Sequence, residues 1–120
     1  LRDLNEKELW KISIEVSDLV EKARSRTLRP EEMAGSLITI SNLGRLDGTA
    51  LKPIVNPPQV EILRLSSSEF RPYWDGSISQ AIPTIPLDLS YDHRVINCAD
   101  AARFMGAYRK FINMPELILL

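Results

Sequence analysis

The sequence has 120 residues, with 15 basic and 16 acidic side chains, a formal net charge of −1, one cysteine and one histidine. That is one domain's worth of chain or less, and 44% apolar content is that of a globular chain, not a disordered one. Near-zero net charge gives no electrostatic footprint for nucleic acid or an anionic membrane, a single cysteine excludes an internal disulfide framework, and Cys98 with His93 falls short of the four ligands of a structural zinc site.

No apolar run approaches the ~20 residues that cross a bilayer. The stretch from Leu1 to Lys7 lacks the basic-then-apolar layout of a signal peptide. The expectation is a soluble protein of a reducing compartment, with no metal site.

In chain order, the first element is a helix. Asn5 is its expected cap, with Glu8 as capping-box partner. Leu9, Ile12, Val16, Leu19, Val20 and Ala23 recur at helical spacing, and Lys22, Arg24 and Arg26 suit its C-terminal end. Pro30 to Met33 reads as a short second helical turn that opens on proline. After Gly35 the period changes: Ser36 to Ser41 is short and β-branched, which predicts a strand. Residues 42 to 58 read as an ordered loop, with turn chemistry at Asn42-Leu43-Gly44 and Asp47-Gly48-Thr49 and an Asn56-Pro57-Pro58 end. Gln59 to Ser66 is a second strand. Phe70 to Trp74 and Ser77 to Ala81 form a hairpin across Asp75-Gly76. Thr84 to Tyr91 is another strand, with Pro86 marking an edge or a bulge. Helical spacing returns at Ala99, Ala102, Phe104, Met105, Tyr108 and Phe111, followed by Pro115 and an apolar tail. The order helix, strands, helix is an α+β pattern. Several strands lack obvious partners in so short a chain, so either copies associate or part of the domain lies elsewhere.

Three residues are candidates for chemistry. His93, in Asp92-His93-Arg94-Val95-Ile96-Asn97, reads either as a loop histidine or as a general base able to take a proton from a thiol. A base of this kind needs its other ring nitrogen held by an acceptor, and Asn97 is placed to hold neighbouring groups. Ser41, at the end of the first strand, reads either as a serine capping its own turn or as an oxyanion donor or nucleophile. Cys98 opens the last helix, where a thiol pKa can be depressed, although a small packing residue is the commoner use.

Four stretches, in this order, carry a resemblance to a known family: Thr39 to Gly44, Pro53 to Val60, Leu89 to Asn97 with its Asp-His-Arg segment, and Ala99 to Phe104. Together they resemble the catalytic domain of the dihydrolipoamide acyltransferases of 2-oxo acid dehydrogenase complexes, closest in motif to the pyruvate type. The resemblance implies a chloramphenicol-acetyltransferase-like mixed sheet flanked by helices, of which residues 1–120 match only the C-terminal half. The N-terminal half and the lipoyl and peripheral-subunit-binding domains are outside the match. It further implies a homotrimer that builds a larger core, with an active site between two subunits. His93 then matches the general base, Ser41 the hydroxyl that stabilises the oxyanion, and Asn97 a position held by aspartate or asparagine. The substrates implied are coenzyme A and a lipoyl group carried on a separate lipoyl domain. The implied partners are the decarboxylase and dihydrolipoamide dehydrogenase components, without nucleic acid or membrane. The location implied is cytoplasmic, or alternatively the mitochondrial matrix. Residues that would bind coenzyme A are not marked.

Cys98 stands where that family usually has glycine, and Glu61 and Arg64 stand at positions usually small or apolar. If the Cys98 turn needs a positive φ, a side chain there is costly. These departures support a second reading, a non-catalytic core scaffold. A third is an antibiotic acetyltransferase of the same fold. A serine hydrolase fits less well, because Ser41 lacks the Gly-x-Ser-x-Gly elbow.

Overall fold

The computed structural model describes residues 1–42, 44 and 52–118. The chain divides into two compact units, one of Leu1–Ser36 with Tyr108–Leu120 and one of Leu37–Ala107.

In the first unit, a 3-10 turn at Leu4–Glu6 precedes helix α1, Leu9–Arg24. Asn5 is therefore not the cap. Lys7 is extended (φ −114°, ψ 138°), which breaks the helical path between Asn5 and Glu8 and puts Glu8 itself at the cap position. The Glu8 carboxylate instead accepts from Trp10 Nε1 at 2.5 Å. The other end of α1 closes as a Schellman motif: Thr27 N–H donates to the Lys22 carbonyl at 2.9 Å and Arg26 N–H to that of Ala23 at 3.2 Å. That geometry puts Arg26 in the left-handed region, φ 57°. Helix α2, Pro30–Met33, starts on proline as its sequence predicts. No residue of α1 or α2 is fully buried. Polar links tie the elements together: Lys7 to Glu15 at 2.5 Å, Lys22 to Glu32 at 2.6 Å, and Arg2 Nη2 to the Glu31 carbonyl at 2.9 Å. Hydrogen bonds from Lys22 and from the Arg29 backbone hold the Glu32 carboxyl down to about 2.

The second unit contains the sheets. Strand β1 is Ile38–Asn42 and β2 is Glu61–Leu65. Strands β3, Glu69–Trp74, and β4, Ser79–Thr84, form a separate antiparallel hairpin. Its turn is closed by the Asp75 carboxylate, which accepts from the N–H groups of Ser77 (2.8 Å) and Ile78 (2.9 Å), while Gly76 takes φ 103°. Strand β5 is Leu87–Tyr91. It does not continue from Thr84 as its sequence suggests. Thr84 still pairs with Glu69 in the hairpin, and the chain leaves that sheet through Ile85 and Pro86. The Pro86 carbonyl then accepts the Ser66 N–H at 3.1 Å, and β5 joins β2. Proline ends one ladder, having no N–H to give it, and its carbonyl opens the next.

The main sheet has the order β1-β2-β5, with β1 parallel and β5 antiparallel to the central strand. Of the loop read over residues 42 to 58, residues 43 and 45–51 lie outside the described residues. Facing residues share a side of the sheet, so one face carries Ile40, Leu63 and Leu89 and the other carries Ser41, Arg64 and Asp88. Ile62, Leu63 and Arg64 are buried in succession, so β2 is covered on both faces. The Arg64 guanidinium lies 3.6 Å from the Asp88 carboxylate. Helix α3, Cys98–Asn113, follows β5, and a 3-10 turn at Pro115–Ile118 follows it. Among the described residues no helix is long and apolar enough to cross a membrane.

Leu63 is 1% exposed and central in the sheet. Leu63→Ala is expected to lower unfolding free energy by about 2–5 kcal/mol, read as an earlier denaturant midpoint at unchanged slope.

Candidate active site

His93 lies in the turn that joins β5 to α3, and its two flanking residues close that turn. The Asp92 carboxylate accepts from Arg94 Nε (2.9 Å), Arg94 Nη2 (2.6 Å) and the Arg94 N–H (3.0 Å). The Asp92 carbonyl accepts the N–H groups of Val95 and Ile96, both at 3.0 Å, while the Asp92 N–H donates to Val60 at 2.8 Å. A bidentate carboxylate–guanidinium pair is a strong, directional contact, and it holds the Asp92 carboxyl down to about 2. Aspartate and arginine thus shape the turn around the histidine and fix it to β2. They do not hydrogen-bond its ring.

The ring is held by its own residue and by a sulfur. A hydrogen bond to the His93 backbone carbonyl engages the imidazole, while Nε2 lies 3.2 Å from Cys98 Sγ. A ring nitrogen bonded to the carbonyl carries its proton there, which leaves Nε2 to act as the base. The Tyr91 hydroxyl donates to the same sulfur at 3.4 Å, and its ring lies 6.0 Å from the imidazole. The two donors stabilise a thiolate, so the Cys98 thiol is lowered from its ordinary value, first by Tyr91 and then by His93. The same contact raises His93, because a neighbouring thiolate favours the imidazolium, and the donated hydrogen bond raises Tyr91.

Asn97 does not reach the ring. Its Oδ1 accepts the Asp100 N–H at 2.9 Å and its Nδ2 donates to the Asp100 carboxylate at 2.7 Å, so it caps the first turn of α3. It positions Cys98, the first residue of that helix. Cys98 is exposed, so the packing role expected of a small residue does not apply. As a helical residue it has no positive φ, and a side chain there carries no left-handed strain. Tyr91 and Cys98 are the members of this cluster that the linear pattern did not bring to His93.

Ser41 is not near it. In β1 it is level with Arg64 and, one strand further, with Asp88. Because β5 runs against β1, the chain moves away from that level as it approaches His93. Four residues from Asp88 to Asp92 cover roughly 13 Å, and two strand spacings of about 4.8 Å lie crosswise. Within one copy, hydroxyl and imidazole are at opposite ends of the sheet. Glu61 is half-exposed at the start of β2, and Arg64 has its carboxylate partner. The described residues hold no group of three His, Cys, Asp or Glu side chains set to bind a metal.

A mixed sheet whose strand β5 leads through a clamped histidine turn into α3 is part of a catalytic-domain fold of the chloramphenicol-acetyltransferase type. The chain belongs to the 2-oxoacid dehydrogenases acyltransferase (catalytic domain) family, which it matches over residues 1–120. It is similar to the dihydrolipoyllysine-residue acetyltransferase component of the pyruvate dehydrogenase complex of Azotobacter vinelandii, with 49% identity over 104 residues, 87% of this chain and 16% of that protein. Its fold is similar to that of the Azotobacter vinelandii dihydrolipoamide acetyltransferase, in a structure concerned with the role of a serine, a histidine and an asparagine in the catalytic mechanism. The TM-score is 0.90 and the identity 44%, over 100% of this chain and 49% of that one. The cubic core of a pyruvate dehydrogenase multienzyme complex gives the same TM-score, 0.90, at 45% identity. The chain thus spans about half of these solved chains and a smaller share of the curated relative.

Cys98 is the sequence's one cysteine, so its alkylation by iodoacetamide reports this cluster alone. The pH of half-maximal rate is expected below that of an ordinary thiol, and Tyr91→Phe and His93→Ala are each expected to move it upward. An unshifted profile in both variants would break the assigned contacts.

Proposed function

We propose that residues 1–120 are the C-terminal half of an acyltransferase catalytic domain that moves an acetyl group between dihydrolipoamide and coenzyme A. The observation that carries this reading is a clamped histidine whose Nε2 already faces a sulfur at 3.2 Å, the geometry thiol deprotonation requires. The spacing supports it: the serine and histidine named for the Azotobacter enzyme are 52 residues apart and its histidine and asparagine four, as are Ser41, His93 and Asn97 here.

In this reading coenzyme A and the lipoyl group are substrates. His93 Nε2 takes the proton of the attacking thiol, and the thiolate adds to the thioester carbonyl carbon. The Ser41 hydroxyl donates to the oxyanion that develops. Collapse breaks the carbon–sulfur bond to the other thiol, which recovers the proton from the imidazolium. Asn97 positions the helix start beside the ring.

Since one copy holds Ser41 and His93 at opposite ends of its sheet, each site takes its serine from one copy and its histidine from the next. A closed ring of such heterologous contacts is the homotrimer the resemblance implies. It would further build a core that meets lipoyl domains and the decarboxylase and dehydrogenase components, and the bacterial relatives support a cytoplasmic location. The exposed apolar side chains of the hairpin, Phe70, Tyr73, Trp74 and Ile78, are surface that association would cover. The scaffold reading loses two of its three supporting departures, because Cys98 is unstrained and Arg64 is paired, and Glu61 alone still favours it.

The test is acetyl transfer from acetyl-coenzyme A to free dihydrolipoamide by the purified protein. Ser41→Ala is expected to slow turnover by ~100–1000-fold, as loss of one oxyanion donor does, and His93→Ala by more. Full activity in His93→Ala, or background transfer by the unmodified protein, would overturn the reading.

The shared site has its own test. When Ser41→Ala and His93→Ala chains are unfolded and reassembled together in equal amounts, about a quarter of the interfaces regain both groups, and activity is expected to rise accordingly. Mixtures no more active than their parents would place both groups in one copy.

A further inference from the structure

Arg64 is a cation in the central strand, on the sheet face that carries Ser41. The register sets it level with Ser41 on β1 and with Asp88 on β5. By strand spacing, the Ser41 backbone is then about 4.8 Å across the sheet from Arg64 and about twice that from Asp88. Burial adds a second asymmetry. The Arg64 side chain is 2% exposed and that of Asp88 47%, with 3.6 Å between guanidinium and carboxylate. Water therefore screens the carboxylate more than the guanidinium, and a charge acts more strongly where protein has replaced water. On both counts Ser41 meets more of the cation than of the anion. Apolar residues in place of a buried ion pair are often no less stable, so stability alone is a weak reason for a charge at this position.

We infer that Arg64 is the electrostatic support of the oxyanion that Ser41 binds, a fixed cation that speeds acyl transfer through space. This rests on the acyltransferase reading. As the attacking thiolate forms its bond to the thioester carbon, an electron pair moves onto the carbonyl oxygen, and negative charge develops where Ser41 donates. A cation held one strand away stabilises that state more than the neutral thioester that precedes it. When the carbon–sulfur bond to the other thiol breaks, the pair returns to the carbonyl and the gain ends. Asp88 holds the guanidinium in place, and its own charge offsets part of the field. Arg64 and Ser41 belong to the same copy, so the side of each shared site that brings the hydroxyl also brings the cation.

The experiment compares steady-state acetyl transfer from acetyl-coenzyme A to dihydrolipoamide by the purified, assembled protein and three variants, each rate taken per folded, assembled chain. Arg64→Met keeps a long side chain without its charge. It is expected to lower kcat about tenfold, less than loss of a direct donor does, with both KM values unchanged. Arg64→Lys is expected to recover most of that kcat. Asp88→Asn is expected to raise kcat about twofold, because the offsetting charge is gone, whereas a pair that served structure alone would lose rate in both the Arg64→Met and the Asp88→Asn variants. Full kcat in Arg64→Met, a lysine variant no better than the methionine one, or an Asp88→Asn variant no faster than the unmodified protein overturns the inference and leaves the transferase reading standing. Should Arg64→Met not assemble, the Asp88→Asn rate decides. Background transfer by the unmodified protein overturns both.

Discussion

The direction of β5 governs the functional architecture of this chain. β2 accepts β1 in parallel on one edge and β5 antiparallel on the other, so the C-terminal ends of β1 and β5 point to opposite ends of the sheet. Ser41 is the last residue but one of the first of these strands and His93 follows the second. No side-chain rotation spans the separation that the ladders impose. Under the proposed transfer, a site that uses both groups would form where two copies meet, and association would then serve catalysis as well as burial. The burial pattern agrees: among the described residues only Ile62, Leu63 and Ala101 form a fully buried apolar core, while the hairpin leaves Phe70 and Trp74 exposed.

Much of this could be read from the linear pattern. A short β-branched run located β1, the 3.6 period located α1 and α3, and Asp75-Gly76 located the hairpin turn. The discrepancies have physical causes. Asn5 and Glu8 have capping-box spacing, but an extended Lys7 denies them a common helix. Thr84 to Tyr91 looks like one strand because pairing partners are not written in local sequence; Thr84 pairs with Glu69 and Leu87 with Leu65. Strand direction, which separates Ser41 from His93, is a tertiary property with no signal in composition or spacing.

The cluster around the histidine was half legible. Asp92-His93-Arg94 marks the turn, but that its charged residues clamp each other and leave the ring alone follows only from the bidentate geometry. Cys98 is five positions from His93, and a helix that starts at once after a tight turn brings the two together. Arg64 presents the same lesson in the sheet: a charge in a buried strand looks like a defect until Asp88, on the neighbouring strand, is found level with it.

The clamp also makes the histidine turn insensitive to acidity over the range in which the enzyme would work. With its carboxyl held down at about 2, Asp92 stays ionised throughout the titration of an imidazole or a thiol, and the hydrogen bonds that shape the loop stay intact with it. An acid limb in a rate profile would then report proton uptake by the reacting groups themselves, uncontaminated by collapse of the loop that carries them.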